Sequence, residues 1–223
     1  MPDLHGIALE AIAVDLDGTL VDSLPDLARA ANHTLSRRGL SPLHEDEVRG
    51  MIGDGIDTLL YRCLQRSLGR DPERRELEEA IPVMRGHYAD HVFEHSCIYP
   101  GVLEALADWQ GRGIRLACVT NKASVLTRPL LQGAGLQAFF ESVQCADYSA
   151  ERKPAPTMLL RLLAEFAIDP TRCAMIGDST HDIGAARAAG MIAVGVDYGY
   201  GNPHGEPRIA PDVTLSRLDQ LRL

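Results

Sequence analysis

The sequence predicts an α/β protein in which a parallel sheet carries helices on both faces and a block of helices is inserted near its start. Short apolar runs recur along the chain and end in polar turns, at residues 8–14, 114–119, 172–176 and 191–196. Between them lie stretches with apolar residues three and four positions apart, which is the spacing of amphipathic helices. Strands that alternate with helices indicate a parallel sheet, because each parallel connection must cross back over the sheet.

The remaining elements of the core follow in order. The first run, at residues 8–14, stops abruptly at Asp15, as a short buried strand does before a tight polar turn. Glycines stand near the ends of the helical patterns, as C-terminal caps would. The helices are predicted at residues 103–110, 125–131, 158–166 and 183–189. A weaker strand at 143–145, a Gly/Pro-rich loop at 199–211 and a short strand at 213–215 complete the pattern.

Residues 24–95 contain no strand-like run and have the pattern of several amphipathic helices, the first starting after Ser23. We predict these helices at residues 25–38, 45–51, 55–68 and 72–94. The chain has 223 residues, which is more than one domain of about 150 residues and less than two. The excess is therefore predicted to be a helical insertion, residues 23–97, within a discontinuous Rossmann-like core of residues 1–22 and 98–223.

Composition argues against several classes of protein. Hydrophobic residues make up 45% and charged residues 24% of the chain, as in a globular protein with a buried core. The net charge of 22 − 31 = −9 argues against a nucleic-acid partner, which needs a basic face. No apolar run approaches the length of a transmembrane helix, and the first residues lack the pattern of a signal peptide. The five cysteines are scattered singly, so we expect a soluble cytoplasmic protein with reduced thiols.

Polar residues gather where the predicted strands end, which is where ligands of an open parallel sheet bind. These residues are Asp15, Asp17, Thr19, Thr120, Asn121, Lys122, Arg152, Lys153, Asp178, Ser179, Thr180, His181 and Asp182. Of the 22 basic residues only Lys122 and Lys153 are lysines, and both belong to this set. A chance placement is therefore a poor explanation of the two lysines.

This set combines the parts of a phosphoryl-transfer site. Several carboxylates that converge on one point repel each other unless a cation offsets them, and oxygen ligands suit Mg²⁺. A lysine and a hydroxyl beside backbone N–H groups form an anion site. Because Asp15 and Asp17 lie two positions apart just past a strand, one can attack phosphorus while the other serves as acid and base. Lys153 and the metal would offset the repulsion between the two anions.

Three histidines of the helical block are a second candidate site. His87, His91 and His95 are spaced four apart, which would place them on one helix face, as zinc sites require. No fourth ligand or catalytic motif accompanies them, so a solvated helix face is the favoured interpretation.

Four short motifs occur in order along the chain: DLDGTLVDS at residues 15–23, VTNK at 119–122, RKP at 152–154 and GDSTHD at 177–182. Together they resemble the motifs of the haloacid dehalogenase superfamily of phosphatases, over almost the whole chain. The resemblance implies that the helical insertion is a cap that closes over the site, excludes water and contacts the leaving group.

The resemblance also implies roles for the residues of the motifs. Asp15 would be the nucleophile and Asp17 the general acid and base. Thr120 and Asn121 would bind the substrate phosphate, and Lys153 would orient both the nucleophile and the phosphate.

A metal ion is implied in the same way. Mg²⁺ would be held by the carboxylates of Asp15 and Asp178 and by the backbone carbonyl of Asp17. Asp182 would support this shell indirectly. The expected partner is a small phosphate ester, with no nucleic acid and no membrane.

Further stretches, at residues 22–27, 48–55, 99–102 and 197–201, are most similar to the phosphoglycolate phosphatases of this superfamily. This similarity implies hydrolysis of 2-phosphoglycolate to glycolate and phosphate. Arg49 is then the candidate cap residue for the substrate carboxylate, which arginine can hold through two parallel hydrogen bonds. A solvated helix charge is the alternative interpretation of Arg49.

Other functions stay open at this point. They are a phosphatase for another small ester such as a sugar phosphate, a β-phosphoglucomutase-like phosphotransferase, and a non-enzymatic phosphate-binding regulatory module. A dehalogenase is disfavoured, because carbon–halogen cleavage does not need the acid that Asp17 supplies. The intact set of Asp15, Asp17, Lys153 and Asp178 disfavours a pure binding module. The sequence does not determine the oligomeric state.

Overall fold

The predicted α/β fold is confirmed by a computed structural model, which describes residues 8–206 and 209–221. Six strands form one sheet in the order β5-β4-β1-β6-β7-β8, and every neighbouring pair is parallel. The strands are β1 (Ala11–Val14), β4 (Arg115–Thr120), β5 (Ser142–Cys145), β6 (Cys173–Gly177), β7 (Ile192–Val196) and β8 (Val213–Leu215). The strand at the centre is β1, so the residues that follow it meet those that follow β4 and β6.

Helices cover both faces of this sheet. They are α5 (Val102–Gly111), α6 (Ser124–Gly133), α7 (Thr157–Phe166) and α8 (Thr180–Ala189). Side chains of a strand alternate between its two faces. Ile12 therefore packs into the apolar cluster that holds Trp109 of α5, while Ala13 packs into the cluster that holds Leu162 of α7 and Ile183 of α8.

The helical block contains α1 (Leu24–Ser36), α2 (Glu45–Arg49), α3 (Ile56–Leu68) and α4 (Arg74–Asp90). A third apolar cluster lies among these helices and is built from side chains such as Leu35, Leu64 and Met84. None of the helices in the described ranges has both the length and the apolar character that crossing a membrane demands.

Two short strands mark where the chain leaves the sheet and where it returns. Strand β2 (Val21–Asp22) pairs antiparallel with β3 (Cys97–Ile98). Beside this pair, the buried carboxylate of Asp26 accepts hydrogen bonds from the N–H groups of His95 (3.0 Å) and Ser96 (3.0 Å) and from the Ser96 hydroxyl (2.5 Å). The start of α1 is thereby fixed to the returning chain.

The prediction that His87, His91 and His95 share one helix face is wrong for His95. Helix α4 ends at Asp90, with His91 as its C-cap, so the helical spacing does not reach His95. Phe93, at φ 62°, then takes the chain out of the helical direction. In place of His95, His33 of α1 stacks on His87 with 4.2 Å between ring centroids, and His87 lies 4.4 Å from His91.

Candidate active site

The turn after β1 places Asp15 and Asp17 at the carboxyl edge of the sheet. The N–H of Asp15 still donates to Ile176 of β6 (2.9 Å), so this residue continues the strand geometry. The turn itself depends on Gly18, whose φ is +85°. A Cβ at this position would lie 2.4 Å from Asp178 Oδ2, so a larger residue would both strain the backbone and displace a carboxylate.

Lys153 is buried among acidic groups. Its ammonium donates to the carbonyl of Val119 and to Asp182 Oδ1, both at 2.7 Å, and forms an ion pair with Asp15 Oδ1 at 2.8 Å. Burial by itself would lower the pKa of Lys153, but the carboxylates of Asp15 and Asp182 outweigh it and raise the pKa above its usual value. The lysine therefore stays charged and opposes the negative charge of Asp15.

Lys122 has the same relation to Asp17. Its ammonium lies 3.1 Å from Oδ1 and 3.0 Å from Oδ2 of Asp17, and the hydroxyl of Ser23 donates to Oδ1 at 2.5 Å. The ring of Tyr88, from α4, covers the ammonium with its centroid 4.6 Å from Nζ. Burial by itself would lower the pKa of Lys122, but its interactions with Asp17 and Tyr88 together outweigh burial and raise the pKa. Each aspartate after β1 thus has a lysine of its own.

A compact group of carboxylates lies next to the lysines. Oxygen atoms of Asp15, Asp178 and Asp182 come within 4.8 Å of one another. Backbone N–H groups of Tyr200 (2.7 Å) and Gly201 (2.9 Å) orient Asp178 through its Oδ2. Burial raises the pKa of Asp15 to about 8 and that of Asp178 to about 6, and the charge of Asp182 adds to both effects.

This group fits a hard divalent cation. The donors are oxygen atoms only, the set that Mg²⁺ and similar ions prefer. When all four are ionised, the carboxylates of Asp15, Asp17, Asp178 and Asp182 carry a charge of −4 and face only two ammonium groups, which leaves −2. A divalent cation would offset this charge, and it would keep Asp15 and Asp178 ionised despite their burial.

A cavity of about 300 Å³ opens above these groups. Its floor consists of the polar residues at the strand ends, and its roof includes apolar side chains of the helical block. These apolar side chains are Leu27, Ile52, Ile56 and Leu59. A small ligand with one charged end would therefore meet charge at the floor and mainly apolar surface at the roof.

Most of the residues singled out from the sequence come together at this cavity, and the surroundings of Thr120, Asn121 and Arg49 add detail to their expected roles. Thr120 is buried, and its hydroxyl accepts a hydrogen bond from the N–H of Lys122 (3.2 Å). The side-chain amide of Asn121 donates to the carbonyls of Gly53 and Lys153 and accepts from the N–H of Lys153. Arg49 is not among the residues that line the cavity, and its guanidinium lies 5.8 Å from the ring centroid of Tyr200, which does line it.

Sequence reasoning missed the residues that hold Asp17 and Asp178. Ser23 is a helix start in the sequence pattern, yet its hydroxyl makes no capping bond and donates to Asp17. Tyr200 lies in a loop distant in sequence and contacts two aspartates. Its N–H donates to Asp178, and its hydroxyl donates to Asp22 (2.7 Å). Ser23 and Tyr200 lie in stretches that resemble the family, at residues 15–23 and 197–201, but only Lys122 was marked as a candidate, by the scarcity of lysine in the chain.

The fold and the site together define an α/β enzyme in which helices cover a site rich in carboxylates. The model of the haloacid dehalogenase-like hydrolase family matches residues 12–196. The chain therefore belongs to this family, and the resemblance found in its motifs is confirmed.

Individual relatives resemble the chain over most of its length. The phosphoglycolate phosphatase of Nitrosococcus oceani is 38% identical over 213 residues, which is 96% of this chain and 95% of that protein. The phosphoglycolate phosphatase of Vibrio vulnificus is 40% identical and covers 96% of this chain and 94% of its own. A crystal structure described as a predicted phosphoglycolate phosphatase from Haemophilus somnus superposes with a TM-score of 0.89 at 31% identity, over 96% of each chain.

Proposed function

We propose that this protein is a Mg²⁺-dependent phosphomonoesterase that hydrolyses 2-phosphoglycolate to glycolate and phosphate. The observation that carries the proposal is the pair of aspartates after β1, each held by a buried lysine at the floor of one cavity. Relatives that share 35–40% of their residues with this chain are named phosphoglycolate phosphatases, which supports the choice of substrate.

Asp15 is the proposed nucleophile. One of its carboxylate oxygens attacks phosphorus, the P–O bond to the leaving group breaks, and an aspartyl-phosphate forms. Lys153, 2.8 Å from Asp15 Oδ1, reduces the repulsion between the carboxylate and the phosphate. Thr120 and the backbone of Asn121 are the proposed phosphate ligands beside it.

Asp17 is the proposed acid and base. In the first step protonated Asp17 gives its proton to the leaving oxygen, which becomes the hydroxyl group of glycolate. In the second step the Asp17 carboxylate takes a proton from water, and the resulting hydroxide attacks the aspartyl-phosphate. Phosphate leaves, Asp15 is restored, and Asp17 is protonated again. Lys122 and Ser23 keep the Asp17 carboxyl in one orientation through both steps.

The carboxylates of Asp15 and Asp178 and the backbone carbonyl of Asp17 are the proposed holders of Mg²⁺, with Asp182 in a supporting role. A bound magnesium ion would supply positive charge against the phosphate oxygens. Asp182 suits a supporting role, because Oδ1 accepts from Lys153 (2.7 Å) and Oδ2 from the hydroxyl of Ser179 (2.6 Å).

The domain limits belong to the same proposal. Residues 1–22 and 98–223 would be the catalytic core and residues 23–97 the cap, which supplies the roof of the cavity. The apolar cluster within the helical block and the β2–β3 pair at its two ends support these limits. A role of Arg49 toward the substrate carboxylate, a cytoplasmic location and the lack of a nucleic-acid partner stay predictions.

Phosphate release from 2-phosphoglycolate and from a panel of sugar phosphates, each with Mg²⁺ and with EDTA, tests the proposal. We expect metal-dependent release that is fastest with 2-phosphoglycolate. Release from a sugar phosphate but not from 2-phosphoglycolate would refute the substrate and keep the reaction. No metal-dependent release from any ester would refute the reaction itself.

A further inference from the structure

Three loops of the core converge on one short loop of the helical block. This loop, residues 53–55, is called the latch loop here. Asn121, which follows β4, donates from Nδ2 to the carbonyl of Gly53 at 3.0 Å. His181, at the start of α8, lies with Nε2 3.5 Å from Asp54 Oδ1. Arg152 approaches Gly55 so closely that a Cβ there would lie 3.3 Å from Nη2.

The side chain of Asn121 has no hydrogen left for a substrate. An amide nitrogen carries two hydrogens. One goes to Gly53, and the other goes to the carbonyl of Lys153 at 3.1 Å. The amide oxygen accepts from the N–H of Lys153 at 2.7 Å. Asn121 therefore connects the latch loop directly to the backbone of the lysine that faces Asp15, and only its own backbone N–H could reach a phosphate.

The latch loop is braced from the side of the helical block as well. Arg62 of α3 donates from Nη1 to the carbonyl of Met51 (2.8 Å) and from Nη2 to Asp54 Oδ2 (2.5 Å). The φ of Gly55, the N-cap of α3, is +85°, which only glycine adopts without strain. The loop is thereby coupled to α3, and a displacement of one would displace the other.

The position of the latch loop gives this contact a consequence for the reaction. Gly53 and Gly55 line the cavity, as do Ile52, Ile56 and Leu59, which flank them in sequence. When Asn121 holds Gly53, these groups form the roof above the aspartates. Closing a site in this way excludes water and fixes the leaving group.

We propose that Asn121 is a positioning residue that latches residues 53–55 over the cavity and so couples closure of the cap to the placement of Lys153. The inference rests on the proposed function and adds a role for the Asn121 side chain other than binding phosphate. A substrate small enough to be enclosed needs the latch. A substrate with a bulky leaving group, such as p-nitrophenyl phosphate, is not enclosed and gains little from it.

The test is the ratio of kcat/KM for 2-phosphoglycolate to kcat/KM for p-nitrophenyl phosphate. Both substrates use the same phosphate site, so loss of a phosphate ligand lowers both values and leaves the ratio unchanged. We expect Asn121→Ala to lower the ratio by roughly 10- to 100-fold, because a misplaced substrate loses rate steeply. An unchanged ratio in this variant would overturn the proposal.

A second variant acts on the latch without touching the phosphate site. Arg62→Met removes the brace of the latch loop and should lower the same ratio, while the double variant should fall no further than the stronger single one. Arg66→Met is the matched control, because this exposed arginine of α3 contacts Glu47 instead (3.0 Å). Additive losses in the double variant, or an equal loss in the control, would count against a shared latch.

Hydrogen exchange separates failure of the latch from failure of the proposed function. The N–H groups of α3 should exchange faster in Asn121→Ala and Arg62→Met than in the wild type and in Arg66→Met. If the wild type does not hydrolyse 2-phosphoglycolate, the proposed substrate is wrong, and this exchange difference still decides the latch. Equal exchange in all four proteins would overturn the latch whatever the substrate is.

Discussion

At the scale of single residues, Asp15 and Asp17 have different surroundings although they are two positions apart. Asp15 lies beside Lys153 and two further carboxylates, and its pKa is raised to about 8. Asp17 faces Lys122 and Ser23, which come from two other segments of the chain. Two chemically identical side chains thus have different partners: Asp15 lies within the cluster of carboxylates, and Asp17 lies outside it beside Lys122 and Ser23.

The assignment of Asp15 as nucleophile predicts the result of Asp15→Asn. An amide cannot form the aspartyl-phosphate, so turnover of 2-phosphoglycolate should fall to background while the protein stays folded. The measurement is phosphate release together with circular dichroism and the fluorescence of Trp109, which is buried in the core. Asp108→Asn, on the exposed side of α5, is the control and should keep full activity. Retained turnover in Asp15→Asn would refute the assignment.

The buried hydroxyl of Tyr88 predicts a mutation without a penalty. Its oxygen makes no hydrogen bond of good geometry, and the charged group that it meets is the ammonium of Lys122, against which the ring is fully buried. Removing a buried hydroxyl that makes no well-formed hydrogen bond, while keeping the ring, should leave the free energy of unfolding unchanged or raise it by about 1 kcal/mol. Tyr88→Ala should instead cost about 3–5 kcal/mol, because it leaves a cavity. Urea denaturation of both variants measures the difference, and a destabilised Tyr88→Phe would indicate a partner for the hydroxyl.

At the scale of elements, the packing of α1 on α4 contains a stack of three imidazole rings. Burial lowers the pKa of His87, and the neighbouring His33 and His91 lower it further, while Asp90 and Glu94 act in the opposite direction. A second positive charge in this stack would repel the first. The two helices therefore pack best when His87 is neutral.

This stack predicts how stability depends on pH. Because the folded state binds the His87 proton more weakly than the unfolded state, stability should fall as pH drops below the ordinary histidine pKa of about 6.5. His87→Gln should remove part of this loss, so its melting temperature should fall less than that of the wild type between about pH 7 and pH 5. His204→Gln, outside the stack, serves as the control. An equal fall in wild type and His87→Gln would contradict the prediction.

At the scale of the whole molecule, the net charge of −9 argued against nucleic acid but did not predict the charge of the site. The sheet gathers four carboxylates and both lysines of the chain at one edge, and their balance is negative. Burying like charges together costs stability unless a cation is bound. Metal binding and folding of this protein should therefore be coupled.

Magnesium should accordingly raise the melting temperature. A ligand that binds only the folded state adds about 2.7 kcal/mol of stability at a concentration of about 100 times its Kd. Differential scanning fluorimetry with a Mg²⁺ titration measures the shift, and EDTA sets the baseline. The shift should disappear in Asp178→Asn and persist in Asp108→Asn. A wild type whose melting temperature does not respond to Mg²⁺ would contradict the proposed metal site.

The sequence was sufficient for the sheet and for the floor of the site. Strands such as β1 and β6 are short apolar runs, and their carboxyl ends are adjacent in any parallel sheet of this connectivity, so Asp15, Lys153 and Asp178 could be placed together in advance. The end of α4 could not be placed, because the apolar spacing continues past Asp90 while tertiary contacts of Asp26 hold the next residues outside the helix.

What the sequence by itself determined is therefore the chemistry: which residue types stand at the ends of successive strands, and in what order. What only the tertiary structure decided is which partner each of them has. Lys122 donates hydrogen bonds to Asp17, which lies 105 residues away along the chain. Asn121 donates to Gly53 of the latch loop, which lies 68 residues away. The physical reason is that periodicity records which face of an element is buried, whereas a contact between distant segments depends on how whole elements pack.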